Sequence, residues 1–158
     1  MDKSIAMALI ALLASSAMAQ DNPTVKDLTG GWRLHADGSR FLNPQSAPKD
    51  IVWAIRLGSK SASWNLVIIP QTGSPMFESY ENDLGAAPGP VTGSPYKAQA
   101  SVALENGALK VKTIHPTGNI KEVASTCKLN GENQMQCQGT AKKSDGSSED
   151  YELIFDRM

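Results

Sequence analysis

The chain contains 158 residues, carries a formal net charge of −1 at pH 7, and has charged side chains at 20% of its positions. This near-neutral balance excludes the strongly basic surface of a nucleic-acid-binding domain and the polybasic segment of a membrane-surface module. The length suffices for one domain with one ordinary hydrophobic core.

A predicted export signal occupies residues 1–19. Lys3 supplies a positive charge ahead of a short apolar run, and residues 17–19, Ala-Met-Ala, form a small-x-small cleavage site. Because the apolar run is too short to cross a hydrocarbon layer of ~30 Å, we expect a cleaved signal and no transmembrane anchor. The mature chain is expected to begin at Gln20, to be periplasmic or secreted, and to start with a flexible leader over residues 20–29.

Short segments of alternating apolar and polar residues follow the leader. They are separated by clusters of Gly, Pro, Asn and Ser, and this pattern predicts strands joined by turns. Residues 51–57 are a clear example, because Ile51 and Trp53 fall on the same face of the predicted strand. A connection over residues 40–49 precedes this strand, and Phe41 is expected to pack from it back onto the core.

The middle of the chain combines strong strand signals with one long interruption. Residues 64–69 are apolar at nearly every position, which predicts a strand that is covered on both faces or faces a partner. Residues 82–95 are rich in Gly and Pro and are predicted to be the longest irregular segment, of a kind that often carries function. Tyr96 is expected to point inward at the start of a strand over residues 96–105, and Asn106-Gly107 is the strongest hairpin-turn signal.

Two cysteines in an exported chain predict a disulfide between Cys127 and Cys137. Asn130-Gly131 marks a turn between them, and a hairpin that places the cysteines opposite each other also pairs Leu129 with Met135 on the same face. The bridge is therefore expected on the apolar side of the hairpin. A redox-active pair is the alternative, although the C-x-x-C spacing typical of such pairs is absent.

About eight strands, with no helix predicted after the signal, favour an all-β fold. We expect an antiparallel up-and-down meander closed as a barrel, because closure removes exposed edge strands. A two-sheet sandwich is the alternative. Residues 30–158 would form this single domain.

The two ends of the predicted domain resemble the lipocalin and wider calycin barrels. Gly30-x-Trp32 resembles the G-x-W signature of their first strand, and Arg157 lies close to the end of the chain. In those barrels the first-strand Trp closes one end and packs against an Arg near the end of the last strand. The resemblance therefore implies barrel closure by Trp32 and Arg157.

The chain also resembles a set of small secreted bacterial proteins described as lipocalin-like. The similarity runs through residues 28–34, 39–41 and 90–96, and through the closing Phe155-Asp156-Arg157. It implies a β-barrel and no particular activity. The chain departs from true lipocalins because it lacks their second loop signature and the helix after their last strand.

Five residues with aromatic or acidic side chains form the predicted ligand-binding set: Trp53, Trp64, Glu78, Tyr80 and Tyr96. The two tryptophans are either core aromatics or walls of a ligand cavity, since small barrels commonly hold aromatic-lined pockets. Glu78 and Tyr80 share one face of a predicted strand. If that face looks inward, a carboxyl group among apolar walls would have a raised pKa and could bind a ligand or transfer a proton. The alternative turns that face outward and makes Phe77 the core residue.

No pattern predicts catalytic residues, a cofactor or a metal site. The chain has no nucleophile-elbow motif, and His35 and His115 lack the spacing of metal ligands. We expect an exported, non-catalytic protein that binds a small apolar or amphipathic molecule in a β-barrel, without a nucleic-acid partner. Two alternatives stay open: an envelope or secreted interaction protein or inhibitor that contacts a protein partner through residues 82–95, and an enzyme using Glu78, Tyr80 or a histidine at the barrel mouth.

Overall fold

The computed structural model describes residues 28–158, so the predicted signal and most of the predicted leader lie outside the described residues. The described chain forms ten β-strands: Gly30–Leu34 (β1), Asp50–Leu57 (β2), Ser61–Ile69 (β3), Met76–Asp83 (β4), Gly89–Pro90 (β5), Gln99–Glu105 (β6), Ala108–Ile114 (β7), Ile120–Leu129 (β8), Gln134–Lys143 (β9) and Ser148–Arg157 (β10). Two single-turn 3-10 helices, Ala36–Gly38 and Pro44–Ser46, lie between β1 and β2. No helix within residues 28–158 is long and apolar enough to cross a membrane.

The ten strands form one antiparallel sheet that curls into a nearly closed barrel. Their order is β4-β3-β2-β1-β10-β9-β8-β7-β6-β5, so strands that pair in the sheet are consecutive in the chain except where β10 pairs with β1, and the consecutive strands β4 and β5 form the two edges. Ser79 on β4 and Thr92, just after β5, exchange two backbone hydrogen bonds of 2.9 Å across the remaining gap. The predicted all-β meander closed as a barrel is therefore confirmed, although two strands more than the expected eight are present.

The segment over residues 82–95 is not irregular throughout, contrary to the prediction of one long irregular segment. It contributes β5 and the seam of the barrel, because Leu84 N donates to Lys60 O and Gly85 N donates to Val102 O, each at 2.8 Å. Val91 is only 6% exposed and belongs to the core. Gly and Pro have low strand propensity, which is why the sequence pattern does not reveal this short strand.

The β8–β9 hairpin has the predicted register. Cys127 lies opposite Cys137 and Leu129 opposite Met135, and the two cysteines form a disulfide. Cys127, Cys137 and Met135 are 0–2% exposed, so the bridge lies on the apolar side as expected. The predicted β6–β7 turn is also present, with Asn106 and Gly107 both in the left-handed region (φ 51° and 74°) that a tight hairpin turn requires.

The end of the barrel where β1 begins and β10 finishes, here called the closed end, is densely packed. Trp32 is fully buried, and its indole Nε1 donates a 2.9 Å hydrogen bond to the carbonyl oxygen of Leu28. The guanidinium carbon of Arg157 lies 4.3 Å from the centroid of the Trp32 ring, a cation–π contact. The Arg157 side chain also donates to the Glu132 carbonyl at 3.0 Å, which holds it over the ring.

Candidate functional site

The opposite end of the barrel, here called the mouth, is covered by the connection between β1 and β2. This connection is fastened to the sheet on both sides: Arg40 pairs through its backbone with Glu152 on β10, and Lys49 N donates to Ile69 O on β3. Between these points the Asn43 side chain accepts a 3.0 Å hydrogen bond from Gln45 N and caps the second 3-10 helix. The connection therefore forms a fixed cover over the mouth.

An apolar cavity of about 420 Å³ lies beneath this cover. Its lining comes from the cover itself and from inward-facing residues of β2, β3, β8 and β10: Phe41, Leu42, Asn43, Ala47, Pro48, Ile51, Ile68, Ile120, Val123, Tyr151 and Leu153. No charged side chain lines it. Ligand pockets commonly begin at about 300 Å³ and are mostly apolar, so this mouth cavity has the size and lining of a small-molecule site.

One wall of the mouth cavity depends on a glycine. Tyr151, Gly139 and Ser125 lie side by side on β10, β9 and β8. Because Gly139 has no side chain, the Tyr151 ring crosses over β9 and its hydroxyl forms a hydrogen bond with the Ser125 hydroxyl. Burial raises the pKa of Tyr151, and the Ser125 hydrogen bond opposes part of that rise.

A cluster of aromatic rings lies deeper in the barrel than the cavity lining. Trp53 and Phe155 follow the lining residues Ile51 and Leu153 by two positions on the same inward faces, and their ring centroids are 5.8 Å apart. Trp64 approaches Trp53 edge-on, with centroids 6.2 Å apart. On the next strand Tyr80 stacks on Trp64, with ring centroids separated by 4.1 Å. We call Trp53, Trp64, Tyr80 and Phe155 the aromatic floor.

Two buried polar atoms of the aromatic floor make no hydrogen bond within the described part of the chain: Trp53 Nε1 and the Tyr80 hydroxyl. Tyr80 is only 4% exposed, and burial raises its pKa. The Asn82 side chain lies near enough to oppose part of this rise without reaching hydrogen-bonding geometry. Unpartnered donors are unusual in protein interiors, where most buried polar groups are satisfied.

The structure brings four of the five predicted ligand-binding residues to the barrel interior. Trp53, Trp64 and Tyr80 belong to the aromatic floor, and Glu78 faces inward opposite Leu66 on β3. The alternative in which Phe77 is the core residue of β4 is wrong, because Phe77 is 65% exposed on the outer face. The pairing of Trp64 with Tyr80 and of Ile68 with Met76 fixes the register in this orientation.

The prediction that Tyr96 points inward from a strand is wrong. The strand β6 begins only at Gln99, and Lys97 has φ 54°, which breaks the extended backbone between them. Tyr96 is 47% exposed, and its ring contacts the His115 ring with a centroid distance of 5.8 Å. Burial lowers the pKa of His115, and the negative charge of Glu78 opposes this shift, so both groups lie at the same side of the mouth.

Sequence reasoning missed most of the cavity lining. Ile51, Tyr151 and Leu153 were recognisable as inward-facing residues, but alternation alone does not show whether an inward layer is packed or hollow. The sequence gives no signal for the height of the cover above these residues. Phe41 and Pro48 of the cover leave a gap there instead of filling it. Among residues 28–158, no group of three or more His, Cys, Asp or Glu side chains is arranged to hold a metal ion.

The ten antiparallel strands therefore form a nearly closed β-barrel with a packed closed end and an apolar cavity at its mouth. No protein-family model matches the chain, and no curated protein matches it in sequence. Its fold is similar to that of a solved REP1-NXSQ fatty acid transporter (TM-score 0.56, 11% identity, covering 84% of this chain and 96% of that one).

Two further solved structures share the fold. One is the wild-type fluorescent protein UnaG, with a TM-score of 0.56 and 12% identity over 85% of this chain and 100% of that one. The other is the zebrafish ileal bile acid-binding protein complexed with cholic acid, with a TM-score of 0.54 and 12% identity over 84% and 99%. At such identities the likeness establishes the fold and does not transfer an activity.

Proposed function

We propose that this protein is an exported, non-catalytic binder of a small apolar or amphipathic molecule, held in the mouth cavity of the barrel. The single observation that carries the proposal is the cavity of about 420 Å³, which is lined by apolar side chains and closed to one side by a fixed cover. Burying apolar ligand surface against such a lining provides the main driving force for binding, at about 25 cal/mol per Å².

The distribution of packing in the barrel supports this proposal. The closed end contains the fully buried Trp32 and Met135 together with the disulfide, so that half is solid and rigid. The mouth half is hollow above the aromatic floor. A rigid scaffold with a preformed cavity loses little conformational entropy when a ligand enters, which favours binding.

Export is supported by the signal pattern over residues 1–19 and by the disulfide. Buried disulfides form and persist in oxidising compartments such as the periplasm or the extracellular space. The solved barrels of the same fold include a fatty acid transporter and a bile acid-binding protein, which is in keeping with an apolar or amphipathic ligand.

In the proposed site, Ile51, Ile68 and Leu153 contact the ligand directly, and Trp53, Trp64 and Tyr80 form its floor. Glu78 lies on the adjoining wall. Tyr96 is not part of this site, because it lies outside the interior. The alternative of an interaction protein or inhibitor that contacts a protein partner through residues 82–95 is less well supported. Leu84 and Val91 of that segment pack against the core, and the segment closes the barrel.

A matched pair of substitutions on β3 tests the proposal. Ile68 lines the mouth cavity, whereas its neighbour Val67 faces the outer surface opposite Phe77. We expect Ile68→Trp to fill the cavity and to weaken binding of the neutral apolar dye Nile red at least tenfold, whereas Val67→Trp leaves binding within twofold of wild type. Equal binding by both variants, or no dye binding by the wild-type protein, would contradict the proposal.

Export is tested separately with the full-length chain expressed in a Gram-negative bacterium. We expect the protein in the periplasmic or extracellular fraction, with Gln20 at its N-terminus by mass spectrometry and with an oxidised cysteine pair. A cytoplasmic protein that retains residues 1–19 would contradict this part of the proposal.

A further inference from the structure

We propose that the ligand is an uncharged apolar molecule with hydrogen-bond acceptor oxygens, such as an ester or ketone, and that these oxygens accept from Trp53 Nε1 and the Tyr80 hydroxyl. The inference rests on the proposed function and specifies the chemistry of its ligand. It is carried by two donors buried in the aromatic floor, neither of which makes a hydrogen bond within the described residues.

The two donors differ from other buried polar aromatics in the same barrel. Trp32 Nε1 donates to the Leu28 carbonyl, and the Tyr151 hydroxyl bonds to Ser125. Trp53 Nε1 and the Tyr80 hydroxyl are buried as well, yet neither makes a hydrogen bond within the described residues. Burying a donor without a partner is costly, so a site with two such donors favours a ligand that satisfies them.

The two donors lie below the mouth cavity, on the inward faces of β2 and β4, and are not part of its lining. Trp53 lies one inward-facing position below Ile51, which lines the cavity, and is itself only partly buried. Trp64 contacts both donor rings, with centroids 6.2 Å from Trp53 and 4.1 Å from Tyr80. Both donors therefore belong to one aromatic cluster beneath the cavity, and a ligand that accepts from both must extend below the lining residues into this cluster.

The third buried atom without a hydrogen bond, Ser94 Oγ, belongs to the turn before β6 and not to this wall.

The charges around the cavity exclude a ligand anion from this wall. Glu78 faces inward on β4, two positions from Tyr80, and carries the same sign as a fatty acid carboxylate. Lys143, opposite Ile120 at the rim of the mouth, is already paired with Glu149. A carboxylate placed on the aromatic floor would be buried beside a like charge, which is strongly unfavourable.

Three molecules with ten or eleven carbon atoms separate these properties: methyl decanoate, decanoate at pH 8 and undecane. Their affinities are measured by displacement of Nile red, which does not depend on tryptophan fluorescence. We expect the wild-type protein to bind methyl decanoate at least tenfold more tightly than decanoate. We also expect Tyr80→Phe to weaken methyl decanoate about fivefold or more while the affinity for undecane, which has no acceptor, changes less than twofold.

Two further variants complete the test. Trp53→Phe removes the second donor and should likewise weaken the ester more than the hydrocarbon, so the inference stays testable if Tyr80→Phe does not fold. Tyr96→Phe removes a hydroxyl outside the interior and should leave all three affinities unchanged. This selective loss is expected because a site that hydrogen-bonds its ligand discriminates against an analogue without the bonding group.

The outcomes distinguish this inference from the proposed function. Tighter binding of decanoate than of methyl decanoate would overturn the inference. Equal changes of ester and hydrocarbon affinity in both donor variants, including no change in either, would also overturn it, because they would show that the ester oxygens do not bond to the donors. In either case an apolar-ligand binder remains. Failure of the wild-type protein to bind Nile red or any of the three ligands would instead refute the proposed function itself.

Discussion

Substitution of Gly139 tests the wall of the mouth cavity. A Cβ atom added at this position would lie 2.5 Å from Cζ and from the hydroxyl oxygen of Tyr151, far inside van der Waals contact. The Tyr151 ring must therefore move away from β9, and its hydrogen bond with Ser125 is lost. We expect Gly139→Ala to destabilise the fold even though alanine replaces glycine in a strand.

The magnitude follows from three opposing contributions. Overpacking against the Tyr151 ring costs about 1–3 kcal/mol. Loss of the Tyr151–Ser125 hydrogen bond costs about 1 kcal/mol, while replacing a strand glycine by alanine gains roughly 0.5–1 kcal/mol. The net loss in the free energy of unfolding is about 2 kcal/mol, which corresponds to a decrease of roughly 6–10 °C in Tm for a domain of this size.

Urea denaturation followed by circular dichroism measures this loss, with Gly31→Ala as the matched control. Gly31 is also a strand glycine, but an added Cβ would meet only the Met158 side chain, at an ordinary 3.5 Å. A double-mutant cycle with Tyr151→Ala should show less than additive losses of stability, because Tyr151→Ala removes the ring with which the methyl group added at position 139 would clash. Stability of Gly139→Ala equal to that of Gly31→Ala, or additive losses in the cycle, would refute this account of the wall.

Three further predictions concern the closed end and the surface. Replacing both Cys127 and Cys137 by alanine should lower the free energy of unfolding by roughly 3 kcal/mol, because the bridge closes a short loop of sequence separation 10; unchanged urea midpoints would contradict it. Arg157→Ala removes the guanidinium over the closed-end indole and should cost about 1 kcal/mol in the same assay, whereas a neutral effect would contradict the closure role. The exposed His35–Asp156 pair raises the pKa of His35 above its ordinary value of 6.5 and lowers that of Asp156 below 3.8. The contribution of this ion pair to stability is therefore largest at pH values between the two pKa values. It is lost as the pH rises through the raised His35 pKa and as the pH falls through the lowered Asp156 pKa. NMR titration should place the His35 pKa above 6.5 and return it toward 6.5 in Asp156→Asn, and an unshifted His35 would contradict the pairing.

The parts of the fold that the sequence predicts are those in which local pattern and pairing agree. Strict alternation and Asn-Gly turns locate most strands, and the register of the β8–β9 hairpin follows from requiring Cys127 opposite Cys137 and Leu129 opposite Met135. Each of these features is local, because it involves residues within one hairpin.

The parts that the sequence does not predict depend on contacts between distant strands. Phe77 and Tyr80 lie on opposite faces of β4, so each face carries an aromatic residue. Only the stacking of Tyr80 on Trp64 of the neighbouring strand shows which face points inward. The apolar run over residues 64–69 predicts a strand that is covered on both faces or faces a partner. In the structure its outward Val67 lies in a row with Val52 and the exposed Phe77 on the outer surface.

The cavity is the least predictable part of the site. Its volume depends on how far the connection after β1 stands above Ile51 and Leu153, and no local pattern encodes that distance. Composition identifies apolar inward residues, whereas only three-dimensional packing shows whether their layer is filled, as at the closed end, or hollow, as at the mouth.

The most direct measurement of the central claim is an NMR titration of the protein, with its Ile, Leu and Val methyl groups labelled, by methyl decanoate. The account predicts saturable shifts and intermolecular NOEs at the methyl groups of Ile51, Ile68 and Leu153, with little change at Leu109 in the packed half. Shifts confined to outer-face methyl groups such as those of Val67, or no saturable shift at any methyl group, would contradict it.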